Sequence, residues 1–311
     1  MSDIQSSPNL ASSAVSPFGA QKLQTLRDVW RYAITRFNEE KLVFGQGCLD
    51  AVDEAAYLIL HTLHLPLDRL EPFLDARLLD SELNTLLHLI ERRAKLKIPT
   101  AYLTRESWLQ GYKFYVDERV LIPRSFIAEL LKTQLNPWID APENVASVLD
   151  LCTGSGCLAI MAADAFPNAH VDAVDISPDA LAVAERNVAD YGLQDRITLH
   201  QSDLFKELPR KRYDLIISNP PYVNAQSMRQ LPAEFKHEPA LALAGGADGM
   251  DLVRTMLRDA RAYLQPDGQM LVEIGHERAH CEAAFPDTQF TWITTSAGDD
   301  LVFLLRQEEL K

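Results

Sequence analysis

Asn219-Pro220-Pro221-Tyr222 closes the apolar run Tyr213-Asp214-Leu215-Ile216-Ile217-Ser218, and the four residues offer three kinds of contact. Neither proline has an N–H and both hold φ fixed, so the Pro220 carbonyl is a stiff hydrogen-bond acceptor. Asn219 adds a second acceptor through its side-chain oxygen, and an amide donor. Tyr222 presents a ring face that can sandwich a flat group. The set suits a planar NH2 conjugated to a carbonyl or to a heteroaromatic ring. Such a nitrogen is a poor nucleophile, because its lone pair is delocalised. As it attacks a methyl group it becomes pyramidal and its hydrogens become more acidic. Two fixed acceptors on those hydrogens therefore strengthen in the transition state, where the gain counts toward rate. The plain alternative is a rigid turn after a strand.

A second constellation lies upstream. Val148-Leu149-Asp150-Leu151 runs into Cys152-Thr153-Gly154-Ser155-Gly156-Cys157, a strand followed by a Gly-rich turn and a helix. Glycines there let the backbone approach a ligand that a Cβ would block. Asp175 follows 19 residues after Gly156, at the end of the next apolar run, where a carboxylate reaches the two hydroxyls of a ribose. The spacing resembles a dinucleotide fingerprint, but a full G-x-G-x-x-G is missing. Asp150 would repel a pyrophosphate and attract a cation. An adenosine carrying a sulfonium tail fits these residues better than a dinucleotide. Asp203 and Leu204 add an acidic group and an apolar wall where an adenine would lie, although Asp203 alone reads equally well as a solvated loop carboxylate.

These residues must be held by a frame, and the periodicity supplies one. From Val145 onward, strand patterns over Ser147–Leu151, His170–Asp175, Ile197–His200, Tyr213–Ser218, Gln269–Ile274, Gln289–Thr294 and Leu301–Leu305 alternate with helical patterns near 157–166, 178–190 and 248–264. Such alternation predicts an α/β fold with a parallel sheet covered on both faces. The last two strands are joined by too few residues for a crossover and must pair antiparallel. Upstream, Leu23, Leu26, Trp30, Ala33 and Phe37 form a helical stripe, as do Val52, Ala56, Ile59 and Leu60, and then Leu83, Leu86, Leu87 and Ile90. The expected division is a disordered Ser-rich tail over 1–20, a helical substrate-recognition domain over 21–98, a β-hairpin linker over 99–124 and a catalytic domain over 125–311. Gly111 marks the hairpin turn. Ser125 is expected to cap a helix running to about Gln134, before Asn136-Pro137.

Charge narrows the partners. Residues 1–125 carry 15 Lys+Arg against 16 Asp+Glu, whereas residues 126–311 carry 15 against 28, a net charge of −13 in the second segment. Nucleic-acid binding leaves a basic footprint, because affinity comes largely from neutralised phosphates. The chain shows the opposite over its catalytic part, which suits a basic protein partner or simply keeps the surface soluble. The four cysteines form no C-x-x-C pair and no zinc spacing, so they read as reduced thiols. With no signal peptide and no membrane-length apolar run, a cytoplasmic location, no membrane partner and no metal are expected.

Asn-Pro-Pro-Tyr beside Asp-Leu-Cys-Thr-Gly-Ser-Gly resembles the class I amino-methyltransferases, which include protein N5-glutamine methyltransferases and adenine-N6 DNA methyltransferases. Ile98-Pro99-Thr100-Ala101-Tyr102-Leu103-Thr104, Val120-Leu121-Ile122-Pro123-Arg124, His237-Glu238-Pro239 and Ala244-Gly245-Gly246-Ala247-Asp248-Gly249 are similar to the glutamine branch. Phe114–Arg119, the continuation Ser125–Leu130 after Arg124, and Cys152 resemble the side of that branch acting on large-subunit ribosomal protein L-three rather than on peptide-chain release factors. Phe126 departs from it, standing where that resemblance leads one to expect proline. The resemblance implies a Rossmann-like seven-stranded sheet with an antiparallel last strand. It implies S-adenosyl-L-methionine as cofactor, with S-adenosyl-L-homocysteine as product. It further implies that Cys152 to Gly156 wrap the methionyl part, Asp175 holds the ribose, Leu204 lies by the adenine, and Asn219, Pro220 and Tyr222 hold the substrate amide. The implied partner is ribosomal protein L-three, free or in an assembling large subunit. Release factors and, in another class, DNA adenine are the alternatives; the acidic catalytic part speaks against DNA. Arg92, Arg93, Lys95 and Lys97 read either as a helix C-terminus complementing its dipole or as an indirect ribosomal RNA contact. Residues 223–247 read as a substrate-gripping segment or a floppy loop, and His237 within them as a surface histidine.

Overall fold

The computed structural model describes residues 23–311; the tail expected over 1–20 lies outside the described residues. Three helices open the chain, α1 (Leu26–Glu39), α2 (Ala51–Thr62) and α3 (Asp80–Leu96). The start of α1 is a capping box, in which Asp28 N–H donates to Thr25 Oγ1 and Thr25 N–H donates to Asp28 Oδ2. Asp50 caps α2 by accepting from the N–H groups of Val52 and Asp53. The three helices bury Val29, Ala33, Phe37, Leu58, Leu86 and Ile90 against one another. The expected stripe on α2 holds at Ile59 and Leu60, which are buried, and fails in the first turns, where Val52 is 43% exposed and Ala51, Ala55 and Leu58 face inward.

A short helix, α4 (Thr100–Thr104), precedes the hairpin of β1 (Glu106–Leu109) and β2 (Tyr112–Tyr115), which turns at Gln110-Gly111. Phe114, Val116, Val120 and Ile122 then share a core with the sheet domain, so this connection is packed against that domain along its length. Next comes α5 (Ile127–Lys132), shorter than expected. Ser125 Oγ accepts from Ile127 N–H, but the residue flanking the helix is Phe126.

The sheet domain alternates strand and helix through β3 (Ser147–Leu151), α6 (Cys157–Ala165), β4 (His170–Asp175), α7 (Pro178–Asp190), β5 (Ile197–Gln201) and β6 (Tyr213–Ser218). It continues with α8 (Ala225–Gln230), α9 (Asp251–Ala260), β7 (Leu264–Glu273), α10 (Arg278–Ala284), β8 (Thr291–Thr295) and β9 (Gly298–Arg306). The spatial order is β5-β4-β3-β6-β7-β9-β8, and β9 alone runs antiparallel to its neighbours. Because side chains alternate across a strand, Val148, Leu215 and Leu271 pack with α5, α6 and α7 on one face. Leu149, Ile216 and Met270 pack with α9 and α10 on the other. The helix expected over 248–264 is only ten residues long, and β7 begins five residues early, at Leu264. The pairing jumps from Tyr213↔Leu264 to Leu215↔Gln269, so the intervening Pro266-Asp267-Gly268 bulges from the ladder and hid the strand start.

Candidate active site

Strand order reverses between β3 and β4 on one side and β6 on the other, and a cleft opens beyond the carboxyl ends of those strands. That is the ligand position expected of open α/β sheets. It encloses about 1070 Å³ when the space open to solvent is included. Cys152, Thr153, Gly154 and Ser155 form one wall, Asp175 and Ile176 the next, Asp203 and Leu204 a third, and Asn219 with Pro221 the fourth. The turn is held by Asp175. Its Oδ2 accepts from Gly154 N–H at 2.9 Å and its Oδ1 from Ser177 N–H at 2.9 Å. Two non-glycine residues on the wall, Cys152 (φ 60°) and Leu204 (φ 54°), sit in the left-handed region. Such conformations persist only where the surroundings enforce them, and they gather at ligand sites.

The cleft chemistry suits a cationic nucleoside. Asp175 supplies a carboxylate beside the apolar surfaces of Ile176 and Leu204. The two arginines on the wall are already matched, Arg119 by Asp117 at 2.6 Å and Arg124 by Glu238 at 2.6 Å. No unpaired cation among the described residues waits there for a pyrophosphate. Asp203 is ion-paired with Lys206, so its charge is partly spent outside the cleft.

Two expected contact residues lie elsewhere. Asp150 is fully buried beneath the turn, absent from the cleft wall, and accepts from Thr153 Oγ1 at 2.6 Å. Burial pushes its carboxyl up to about 7. It shapes the turn through Thr153. Gly156 is also off the wall; a Cβ there would sit 3.2 Å from Ala184 Cβ, so the missing side chain lets α6 and α7 approach. The remaining turn residues, Asp175, Asp203 and Leu204 come together as expected.

A second cavity adjoins the first and shares Leu121, Arg124, Asn219 and Ala242 with it. Pro220, Tyr222, Val223 and Phe235 complete its wall. Asn219 therefore stands on the partition between the two spaces. Its Nδ2 donates to the Arg124 carbonyl at 3.1 Å, which fixes the amide plane. No donor among the described residues reaches its Oδ1, so the acceptor is free while one N–H of the amide is engaged internally. Ser218 Oγ donates to Leu151 O at 2.7 Å and ties the motif to the end of β3. Tyr222 lies so close to residue 275 that a Cβ there would stand 2.6 Å from its ring, and only glycine fits.

Three further residues were not singled out individually as site residues: Arg124 on this wall, and Glu238 and Glu273, which stand off the wall near Tyr222. Glu238, with a fully buried side chain, accepts from Arg124 at 2.6 and 2.7 Å and from Ile122 N–H at 3.0 Å. The Arg124 guanidinium also lies over the Phe235 ring, 5.3 Å from its centre. Glu273, at the end of β7, accepts from Ser125 Oγ and Phe126 N–H, and burial pushes its carboxyl up to about 7. Arg124 and Glu238 stand inside motifs quoted from the sequence, but their pairing across 114 residues carries no local signal.

Residues 223–247 are not loose. They contain α8 and two single helical turns, and they dock on the N-terminal helices. Buried Glu234 accepts from Val43 N–H at 3.0 Å and faces Arg93 and Lys97 at 3.9 and 3.7 Å. His237 Nε2 bonds the Leu96 carbonyl at 2.8 Å and lines neither cavity. The basic cluster is thereby divided: Arg93 and Lys97 work inside the molecule, and Lys95 pairs with Glu91 along its own helix. No group of three or more His, Cys, Asp or Glu among the described residues is arranged to hold a metal ion. No helix among them is long and apolar enough to cross a membrane.

The fold and site are those of a class I S-adenosylmethionine-dependent methyltransferase, and residues 128–290 match the Methyltransferase small domain family. The catalytic domain of hMettl16, solved with a MAT2A 3'UTR hairpin, is similar in fold, with TM-score 0.50 and 14% identity over 75% of this chain and 84% of that one. The chain is also similar to the ribosomal protein uL3 glutamine methyltransferase of Burkholderia pseudomallei, 60% identical over 92% of this chain and 96% of that protein. The protein of that name from Bradyrhizobium diazoefficiens is 49% identical over 96% of each. The chain belongs to the family of ribosomal protein uL3 glutamine methyltransferases. Its methyl donor is S-adenosyl-L-methionine.

Proposed function

We propose that the protein methylates the N5 side-chain amide of a glutamine in free ribosomal protein uL3, in the cytoplasm. The observation that carries this reading is Asn219 on the partition between the two cavities, with its amide plane fixed and its oxygen unengaged. S-adenosyl-L-methionine supplies an electrophilic methyl group on a sulfonium sulfur. The turn from Cys152 to Ser155 and the carboxylate of Asp175 would hold it in the first cleft, with Ile176 and Leu204 against its base. Asn219 Oδ1 and the Pro220 carbonyl would accept the two hydrogens of the glutamine NH2, and Tyr222 would pack on its plane. The nitrogen then gains the methyl and loses one hydrogen as a proton. Alkylation makes that proton acidic enough to leave for water, so no resident base is required. Free uL3 is favoured over uL3 in an RNA-rich particle, because Arg93 and Lys97 are committed internally while residues 126–311 carry a net charge of −13.

The test is methyl transfer from labelled cofactor to purified uL3, peptide-chain release factors and duplex DNA in parallel, with the modified residue located by fragmentation. Label on a uL3 glutamine is the expected outcome. Label on release factors or DNA alone would overturn the substrate, and label on another side chain would overturn the role given to Asn219.

A further inference from the structure

A cavity remote from the transfer site lies between the loop before α2, the start of α4 and strand β1. Its wall carries two buried polar side chains without partners among the described residues. Gln46 is 8% exposed, and neither Oε1 nor Nε2 has a hydrogen-bond partner; Ser107 Oγ is in the same state at 4% exposure. Leaving such groups unpaired is costly, so a buried primary amide with both ends open is a group prepared for a ligand. One donor beside one acceptor is also the pattern of a peptide group.

The neighbouring backbone repeats that pattern. The two-residue turn at Gln110-Gly111 makes Leu109 and Tyr112 a hydrogen-bonded pair, so alternation turns the backbone groups of Glu106, Trp108, Lys113 and Tyr115 outward, with the Glu106 carbonyl already accepting from Thr104 Oγ1 at 3.3 Å. On β2 these groups are covered by α7. Lys113 N–H donates to Tyr191 Oη, which donates to Lys113 O, and Asn187 bonds both polar groups of Tyr115. On β1 nothing among the described residues covers Trp108. Exposed apolar surface surrounds this open edge, with Leu67 and Trp108 on the cavity wall and Leu49 beside it in sequence.

We propose that this cavity and the free edge of β1 form a docking site for an extended segment of the protein substrate, which adds as a third strand and places an apolar side chain inside. Strand addition draws affinity from main-chain hydrogen bonds and selectivity from a side-chain pocket, and both are present here. The main-chain pattern, one donor beside one acceptor at both Gln46 and Trp108, selects this occupant, and charge does not, since Asp68 on the wall already faces Arg69 at 3.6 Å. This inference rests on the proposed protein substrate and extends it to a site outside the transfer cavity.

The test is Gln46→Leu, which keeps the side-chain bulk and removes both polar atoms. Docking predicts a KM for uL3 raised about tenfold or more, the value of one or two lost hydrogen bonds, with kcat and the KM for S-adenosyl-L-methionine unchanged. It also predicts a melting temperature equal to or above wild type, since an unpaired polar group has left the interior; a structural role would lower it. Wild-type enzyme with S-adenosyl-L-homocysteine should show uL3-dependent protection of the outward-facing Trp108 amide from deuterium exchange. An unchanged KM together with an unprotected Trp108 amide would overturn the proposal. If deletion of residues 1–22 exposes that amide in the absence of uL3, the chain's own N-terminus is the occupant and the proposal fails. A wild type that transfers no methyl to uL3 defeats the substrate reading itself, and with it the occupant named here.

Discussion

The two cavities that meet at Asn219 are built in opposite ways. The proposed cofactor-side cleft is closed from a distance by Arg124, Asn219 and Ala242, but its core is local in sequence: a turn of five residues, a carboxylate at the end of the next strand, and backbone bent into the left-handed region at Cys152, Gly154 and Leu204. The substrate-side cavity is assembled from distant segments, with Arg124 clamped to Glu238, Glu273 reaching Ser125, and Glu234 tied to Val43 across 191 residues. Local backbone geometry can be preserved through many changes elsewhere. A wall made of long-range ion pairs must be kept as a set, because each buried charge depends on its partner. The difference suits a cofactor that does not change and a protein substrate that must be selected.

The long-range wall should break hardest. Arg124→Met leaves the Glu238 carboxylate buried without its guanidinium, and removing one partner of a buried pair costs about 3–5 kcal/mol. Urea denaturation should show that loss, and Arg124→Met/Glu238→Leu should recover much of it. A single substitution costing under about 1 kcal/mol would mean that the clamp does not hold the two segments together.

At the partition the effect should be on rate. Asn219→Ala removes an acceptor that tightens on the amide during transfer, a loss of roughly 1.5–3 kcal/mol or about 10- to 150-fold. Single-turnover methylation with saturating cofactor measures it, and cofactor affinity by calorimetry should be unchanged. Asn219→Asp should do no better than Ala. The Asn219 amide donates to the Arg124 carbonyl, and a carboxylate would repel that oxygen and turn away. Wild-type rates in Asn219→Ala would reduce the motif to a turn.

The same contrast governs what the chain discloses before folding. β3, β4 and β6 were legible to the residue, because apolar runs bounded by Gly, Pro and polar residues lie within one window. So was the gathering of Cys152, Asp175 and Leu204 at one cleft. Asp150 was misplaced because periodicity cannot say whether a strand-end carboxylate points into the cleft or beneath the turn. The start of β7 was hidden by a bulge that breaks alternation. Arg124–Glu238, Glu234 and the close approach of Gly275 to Tyr222 were invisible for a different reason: each is a contact between segments whose meeting is decided by the whole topology.

A smaller effect comes from Glu273, whose folded carboxyl is pushed up to about 7 from an ordinary value of 4.5 by burial at the end of β7. The folded state therefore binds its proton more tightly than the unfolded state does. The stability contributed by that proton is complete below about pH 4.5, declines as pH rises, and is gone above about 7. Glu273→Gln removes the titration and keeps an acceptor for Phe126 N–H. Its stability advantage over wild type should grow by about 1–2 kcal/mol from pH 5 to pH 8. Parallel stability–pH curves for the two proteins would show that Glu273 does not titrate in this range. Asp150 shifts in the same direction and remains in both proteins, so the comparison isolates Glu273.

The smallest effects belong to the local side, where backbone angle can be separated from contact. Gly154 has φ 56°, and a Cβ built there meets nothing within 4 Å. Gly154→Ala therefore adds no clash with the protein and should cost only the left-handed penalty, about 1–2 kcal/mol less what alanine gains by stiffening the unfolded chain. Cys152 is the mirror case, a side chain held at φ 60° where glycine would rest without strain. Cys152→Gly should return about 0.5–1 kcal/mol after glycine's entropic cost is set against the relief. Chemical denaturation of both variants, with and without S-adenosyl-L-methionine, separates folding from function. If the strain is local, the two substitutions move stability in opposite directions by similar amounts. Cofactor affinity should fall in Gly154→Ala, whose new methyl group enters the cleft, and should change less in Cys152→Gly. Equal destabilisation by both would show that the Cys152 side chain packs well enough to outweigh its backbone strain, and the turn would then depend on contacts rather than on angles.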